Sequence, residues 1–158
     1  MITEDYVSFE TAKLLKDKGF KHWCYKCYGD AVYHKGVPIS FDEECELKSE
    51  GLEDEIEYVE GGHLYDFGCD NRKEEANVWA APTLWVAMKW LREEKKISTE
   101  VNIIFDLDDD NKWYYEYGFC IFQLSGTFEK LAECDYDGYK TYEEACEAAI
   151  RYTLENLI

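Results

Sequence analysis

The run Ala81-Pro82-Thr83-Leu84-Trp85-Val86-Ala87-Met88-Lys89-Trp90-Leu91-Arg92 constrains the chain more than any other stretch. Leu84, Ala87, Met88 and Leu91 recur at i, i+3, i+4 and i+7, which is one face of a 3.6-residue helix. Val86 and Trp90 form a second apolar line beside that face, so more than half of the circumference is apolar. A helix of this kind must be covered on several sides. Pro82 suits the first turn, where its missing N–H costs nothing. Arg92, Lys95 and Lys96 sit at the far end, where cations oppose the helix dipole. The spacing predicts a central helix over 82–96. Lys89 interrupts the apolar run, which is far shorter than the ~20 residues a membrane span needs. The segment therefore reads as a core helix of a protein with no membrane partner.

Material to cover that helix is plentiful. The 158 residues include 5 Trp, 13 Tyr and 8 Phe but only 2 Pro. This length fits a single domain over 1–158, with two small lobes as the alternative division. The opening Met1-Ile2-Thr3-Glu4-Asp5-Tyr6 has neither a basic n-region nor an apolar h-region, so no secretory signal is expected and the location reads as cytoplasmic. Cysteines stand at 24, 27, 45, 69, 120, 134 and 146. Their odd number and irregular spacing point to free thiols in a reducing compartment.

Along the chain, 7–20 reads as a helix with Ser8 as N-cap, Glu10 in the first turn and Gly19-Phe20 as a Schellman ending. Lys21 to Tyr33 is aromatic and strand-like, with a turn expected at Gly29-Asp30. Ser40-Phe41-Asp42-Glu43 has capping-box spacing, and Gly51 closes a helix over 41–50. Residues 55–59 and 63–67 around Gly61-Gly62 predict a β-hairpin with a primed two-residue turn, Val59 opposite Leu64. Residues 69–77 read as a loop. After the central helix the period changes from 3.6 to 2. Val101, Ile103, Phe105 and Leu107 alternate with Glu100, Asn102, Ile104 and Asp106, which predicts a half-buried strand. The turn 108–112 leads to a long strand from Trp113 to Leu124, and Ser125-Gly126 leads to a third over 127–134, ended by 135–138. Thr141-Tyr142-Glu143-Glu144 is a capping box that opens a last helix with Ala145, Ala148, Ala149 and Tyr152 on its packed face. The expected fold is α+β: an antiparallel sheet, built from a hairpin plus a three-stranded meander, with three main helices on one face.

Three blocks in this order, Val7-Ser8-Phe9-Glu10-Thr11-Ala12-Lys13-Leu14-Leu15-Lys16-Asp17-Lys18-Gly19-Phe20, then Ala81 to Arg92, then Tyr142-Glu143-Glu144-Ala145, resemble a family of small uncharacterised proteins. That family is common in gut anaerobic bacteria and in their phages and mobile elements. The resemblance implies a cytosolic accessory protein, phage-derived, and carries over no catalytic residue.

Candidate chemistry is sparse. Trp23-Cys24-Tyr25-Lys26-Cys27 imitates a thioredoxin-like C-x-x-C, but that motif requires a helix directly after it, and Tyr28-Gly29-Asp30 follows instead. Cys24 and Cys27 are two weak candidates for zinc, with His22, His34, Cys45, His63 or Cys69 as further ligands; a structural site needs four, so no metal or other cofactor is expected. Asp106, Asp108 and Asp110 imitate the start of an EF-hand loop. Asn111 replaces its glycine and Tyr117 its bidentate glutamate, so an acidic turn is expected. With no phosphate loop, nucleophile elbow or H-E-x-x-H, a non-enzyme is expected.

Net charge is −18 and unevenly placed. Residues 41–60 hold ten acids and one lysine. Such a field repels nucleic acid and attracts basic partners. Two functional readings follow. In the first, a non-enzymatic protein-binding accessory protein offers aromatics such as Trp23, Tyr25, Tyr28, Tyr114 and Tyr139 to a protein partner. In the second, an acidic nucleic-acid mimic inhibits a DNA-handling protein through carboxylates such as Glu43, Glu46, Glu50, Glu53 and Glu57.

Overall fold

Ser8 accepts the Thr11 N–H and so caps α1 (Phe9–Asp17). At the other end Gly19 takes φ +89°, and the Phe20 and Gly19 N–H groups bond the Leu15 and Lys16 carbonyls, as a Schellman ending requires. The computed structural model describes residues 5–66, 68–72, 77–134 and 138–158. Four expectations fall wholly or partly outside these residues: the leader reading at Met1–Glu4, the end of the hairpin strand at Phe67, the loop at 73–76 and the end of the meander at 135–137.

The chain divides into two compact units, one formed by the segment up to Phe20 together with Pro82–Ile158, the other by Lys21–Ala81. Both are α+β with antiparallel sheets.

In the first unit, α3 (Leu84–Glu94) is the central helix, shorter than 82–96 because Thr83 supplies the N-cap, leaving Pro82 just outside the first turn. Its buried face is Leu84, Ala87, Trp90 and Leu91. Met88 is only half-buried, so the apolar face is rotated toward Trp90, which meets Phe20 edge-on at 5.5 Å between ring centroids. β5 (Ile97–Leu107), β6 (Trp113–Gln123) and β7 (Glu129–Glu133) form the expected meander. α4 (Tyr142–Asn156) opens on a complete capping box between Thr141 and Glu144. It buries Ala145, Cys146, Ala149, Ile150, Thr153 and Leu154, leaving Tyr152 exposed. Glu147 of α4 receives the Ser8 N–H and the hydroxyls of Ser8 and Thr11, which docks the N-terminus of α1 on α4. Against the root of the sheet Ala149 packs with Ile97, Phe119 and Ile121.

In the second unit, β1 (Lys26–His34) is the hub. It pairs with β2 (Val37–Pro38), β3 (Ile56–Tyr65) and β4 (Val78–Ala81). The tight hairpin is at Lys35-Gly36, both with positive φ, as a type I′ turn demands. The hairpin expected at Gly61-Gly62 is absent. β3 runs straight through both glycines, and a bulge opposite Asp30 absorbs the extra residues, so that Val59 faces Ala31 and Leu64 faces Tyr28. A Cβ on Gly62 would come within 2.9 Å of the Ala31 Cβ, so the glycine lets two strands approach and does not turn the chain. Gly29-Asp30 likewise lies inside β1 and makes no turn. α2 (Phe41–Ser49) forms with its capping box and its Gly51 ending.

Candidate functional site

The β5–β6 hairpin is in unbroken register from Ile97↔Gln123 to Leu107↔Trp113. Directly opposed residues share a face, so Val101/Phe119, Ile103/Tyr117, Phe105/Tyr115 and Leu107/Trp113 continue the face that carries Ile97, Thr99 and Ile121. At the root that face is core: Ile121 is 0% and Phe119 5% exposed. Phe119 lies 6.2 Å from the rings of both Tyr139 and Tyr152, and Tyr117 meets Tyr142 edge-on at 6.0 Å. Tyr142 is the first residue of α4, and the helical cover stops there. Beyond it Phe105 is 67%, Trp113 73% and Tyr115 60% exposed, with Ile103 and Leu107 also open to solvent. The strand expected to be half-buried over 101–107 keeps its alternation, but its distal residues Ile103, Phe105 and Leu107 are exposed. Five large side chains left between 43% and 73% exposed amount to an apolar patch on the order of 500 Å², in the range of the largest patch on a monomer, which is often functional.

The strip is tied to the rest of its unit by ring contacts and closed at its tip by turn hydrogen bonds. Tyr115 meets Tyr117 edge-on at 5.9 Å, which joins the exposed rings to the buried ones. At the tip, the Asp108 carboxylate accepts the Asp110 and Lys112 N–H groups at 3.0 and 2.7 Å. Asn111 takes φ +56°, a conformation its short polar side chain tolerates. The EF-hand imitation is thus an acidic turn whose first carboxylate is consumed by the backbone. On the reverse face lie Glu100, Asn102, Ile104 and Asp106.

Of the partner-binding residues named from sequence, Tyr114 and Tyr139 lie in the first unit and the others in the second. Trp23 and Tyr25 are exposed and meet edge-on at 4.5 Å, while Tyr28 is half-buried between Leu64 and Trp79 of the flanking strands. Glu43, Glu46 and Glu50 are exposed on or beside α2, and Glu53 and Glu57 follow it. Part of the acidic block is already engaged. Glu43 closes the capping box, its carboxyl held low by the Ser40 N–H and hydroxyl. Glu55 is held low by Lys35 and then His34, each 2.9 Å away. Buried Glu44 accepts from Lys48 at 2.7 Å and from the Tyr58 hydroxyl at 2.6 Å, which ties α2 to β3. Lys48 first, and Tyr58 second, depress its carboxyl pKa. A depressed carboxylate stabilises the fold above its ordinary pKa of 4.5, and that contribution is lost as pH falls through the lower folded value. Glu44→Gln is expected to cost about 1–2 kcal/mol at pH 7 and to flatten the loss of stability below about pH 4.5, read from urea midpoints between pH 7 and 3.

Cys24, Cys27 and Cys69 come together where Cys24 and Cys69 exchange backbone hydrogen bonds. Burial, and next the charge of Cys27, push the Cys24 thiol up to about 12; burial also raises Cys27 and Cys69. Thiols so disfavoured as thiolates are poor nucleophiles, opposite to the redox motif that the spacing imitates. Among the described residues no group of three or more His, Cys, Asp or Glu is arranged to hold a metal ion. A cleft of about 490 Å³ in the first unit is lined by Tyr6, Leu84, Tyr139, Glu143, Glu147 and Arg151. Its Glu147 is committed to the N-terminus of α1. Among the described residues no helix is long and apolar enough to cross a membrane.

No protein-family model, curated protein or solved structure matches the chain.

Proposed function

We propose that this chain is a non-enzymatic, cytoplasmic accessory protein that binds a protein partner through the distal face of its β5–β6 hairpin. The observation that carries this reading is the apolar strip of Ile103, Phe105, Leu107, Trp113 and Tyr115 running out beyond the helical cover. Aromatic side chains of this kind are the usual anchors of interfaces, because they bring large apolar area at little cost in rotamer entropy. A hairpin in fixed register has already met most of the ordering cost of association. Seven cysteines, none of them in a disulfide, are in keeping with a reducing compartment.

The alternative, an acidic mimic acting through Glu43, Glu46, Glu50, Glu53 and Glu57, has weaker support. A mimic needs a free row of carboxylates, whereas Glu43, Glu44 and Glu55 are engaged within the unit.

Affinity capture from the native host, with the parent and with a Phe105→Ser/Trp113→Ser/Tyr115→Ser variant, tests the proposal. The partner is expected with the parent and not with the variant. A partner retained by the variant but lost on Glu43→Gln/Glu46→Gln/Glu50→Gln/Glu53→Gln would transfer the function to the acidic block.

A further inference from the structure

β5 is an edge strand, bonded to β6 alone among the described strands. Its hydrogen-bonding direction follows from the register. Asp108 donates to the Lys112 carbonyl and Leu124 to that of Lys96, so the even-numbered residues of β5 are the ones bonded to β6. The odd-numbered backbone groups therefore point outward, along the open edge. The last of these donors, the Leu107 N–H, is taken by the Asp106 carboxylate at 2.7 Å. Val101, Ile103 and Phe105 leave three outward donors and their carbonyls beside the uncovered aromatic face.

Edge and face together select one class of occupant. A strand added beside residues 100–106 would place alternate residues next to Val101, Ile103 and Phe105, and the residues between them next to Glu100, Asn102, Ile104 and Asp106 on the reverse face, which is acidic at both ends. Apolar side chains satisfy the first set and cations the two acidic ends of the second. The turn at Asp108, Asp109 and Asp110 adds negative charge at the end of the same edge. A second copy of this chain is the wrong occupant. It would set Glu100 and Asp106 against their own equivalents, in molecules each carrying −18. We infer that β5 receives, by strand addition, an extended segment of another protein with apolar residues at alternate positions and Lys or Arg between them where it meets Glu100 and Asp106. This inference rests on the proposed role of the hairpin face and adds the backbone edge and the sequence pattern of the partner.

The probe is a fluorescein-labelled peptide, acetyl-Lys-Val-Lys-Val-Lys-Val-Lys-amide, compared by anisotropy with its block isomer of four lysines then three valines. The parent is expected to bind the alternating peptide about tenfold tighter than the isomer, because only the former matches both faces at once. Ile103→Pro removes one outward N–H without touching the β5–β6 ladder and should abolish the preference, whereas Ile103→Ala, which keeps that N–H, should weaken both peptides and retain the preference between them. The alternating peptide with every backbone nitrogen methylated should bind the parent no better than the isomer, which tests the edge without altering the protein. Equal binding of the two peptides, or a preference that survives both Ile103→Pro and methylation, overturns strand addition. So does sedimentation of the parent as a dimer that Ile103→Pro dissolves. If Ile103→Pro still captures the native partner and the triple serine variant does not, strand addition is wrong and the face reading stands.

Discussion

Leu91→Asp is expected to leave no cooperatively folded protein. Leu91 is fully buried on α3, between the helix's other core residues Ala87 and Trp90. Placing an unpaired carboxylate there costs several kcal/mol, against a total stability of about 5–15 kcal/mol for a domain of this kind. The thermal transition followed by circular dichroism should disappear or move below room temperature. Met88→Asp, three residues earlier, should cost only about 1–2 kcal/mol, because Met88 is half-buried and its new charge can reach water. Equal losses from the two substitutions would mean that the buried face of α3 is not the one described.

That contrast shows what the sequence carries and where it stops. The period of α3 is legible, and so is its role as core, but Met88 and Trp90 exchange ranks because the face is broad and its rotation is set by what covers it. Helix ends are legible because they are local chemistry. Ser8, Ser40, Thr83 and Thr141 each accept an N–H three residues on, and Gly19 and Gly51 take the left-handed position. The double glycine at 61–62 misleads, because its local signature is equally that of a bulge where two strands come close. Only the partner strand β1, with Asp30 opposite, decides between the two.

The triple variant Phe105→Ser/Trp113→Ser/Tyr115→Ser carries the second large expected effect, on binding alone. Aromatic anchors at the centre of an interface are worth about 2 kcal/mol or more each, so losing three should weaken association by well over ~100-fold. Stability should change by less than about 0.5 kcal/mol, since each ring is largely in solvent and the hairpin ladder is untouched. Binding by titration calorimetry and melting by circular dichroism on the same preparations separate the two effects. A variant that binds as the parent does, or that fails to fold, contradicts the description of this face as exposed and functional.

The strip was within reach of the sequence through lengths. An 11-residue strand is ~36 Å long, while a 15-residue helix is only ~22 Å, so α4 cannot cover the hairpin from end to end. Alternation alone gives which residues share a face and says nothing about how far the cover extends. Hence the β5 strand reads only as half-buried, and Trp23, Tyr25, Tyr28, Tyr114 and Tyr139 are the aromatics that attract attention in place of Phe105, Trp113 and Tyr115.

Site-resolved photocrosslinking in the native host tests the central claim most directly. A photoreactive benzoylphenylalanine in place of Phe105 or Trp113 should give a single discrete adduct with the partner, and the same group in place of Tyr25 or Glu46 should give none. Adducts from Tyr25 or Glu46, with none from Phe105 or Trp113, would contradict the account.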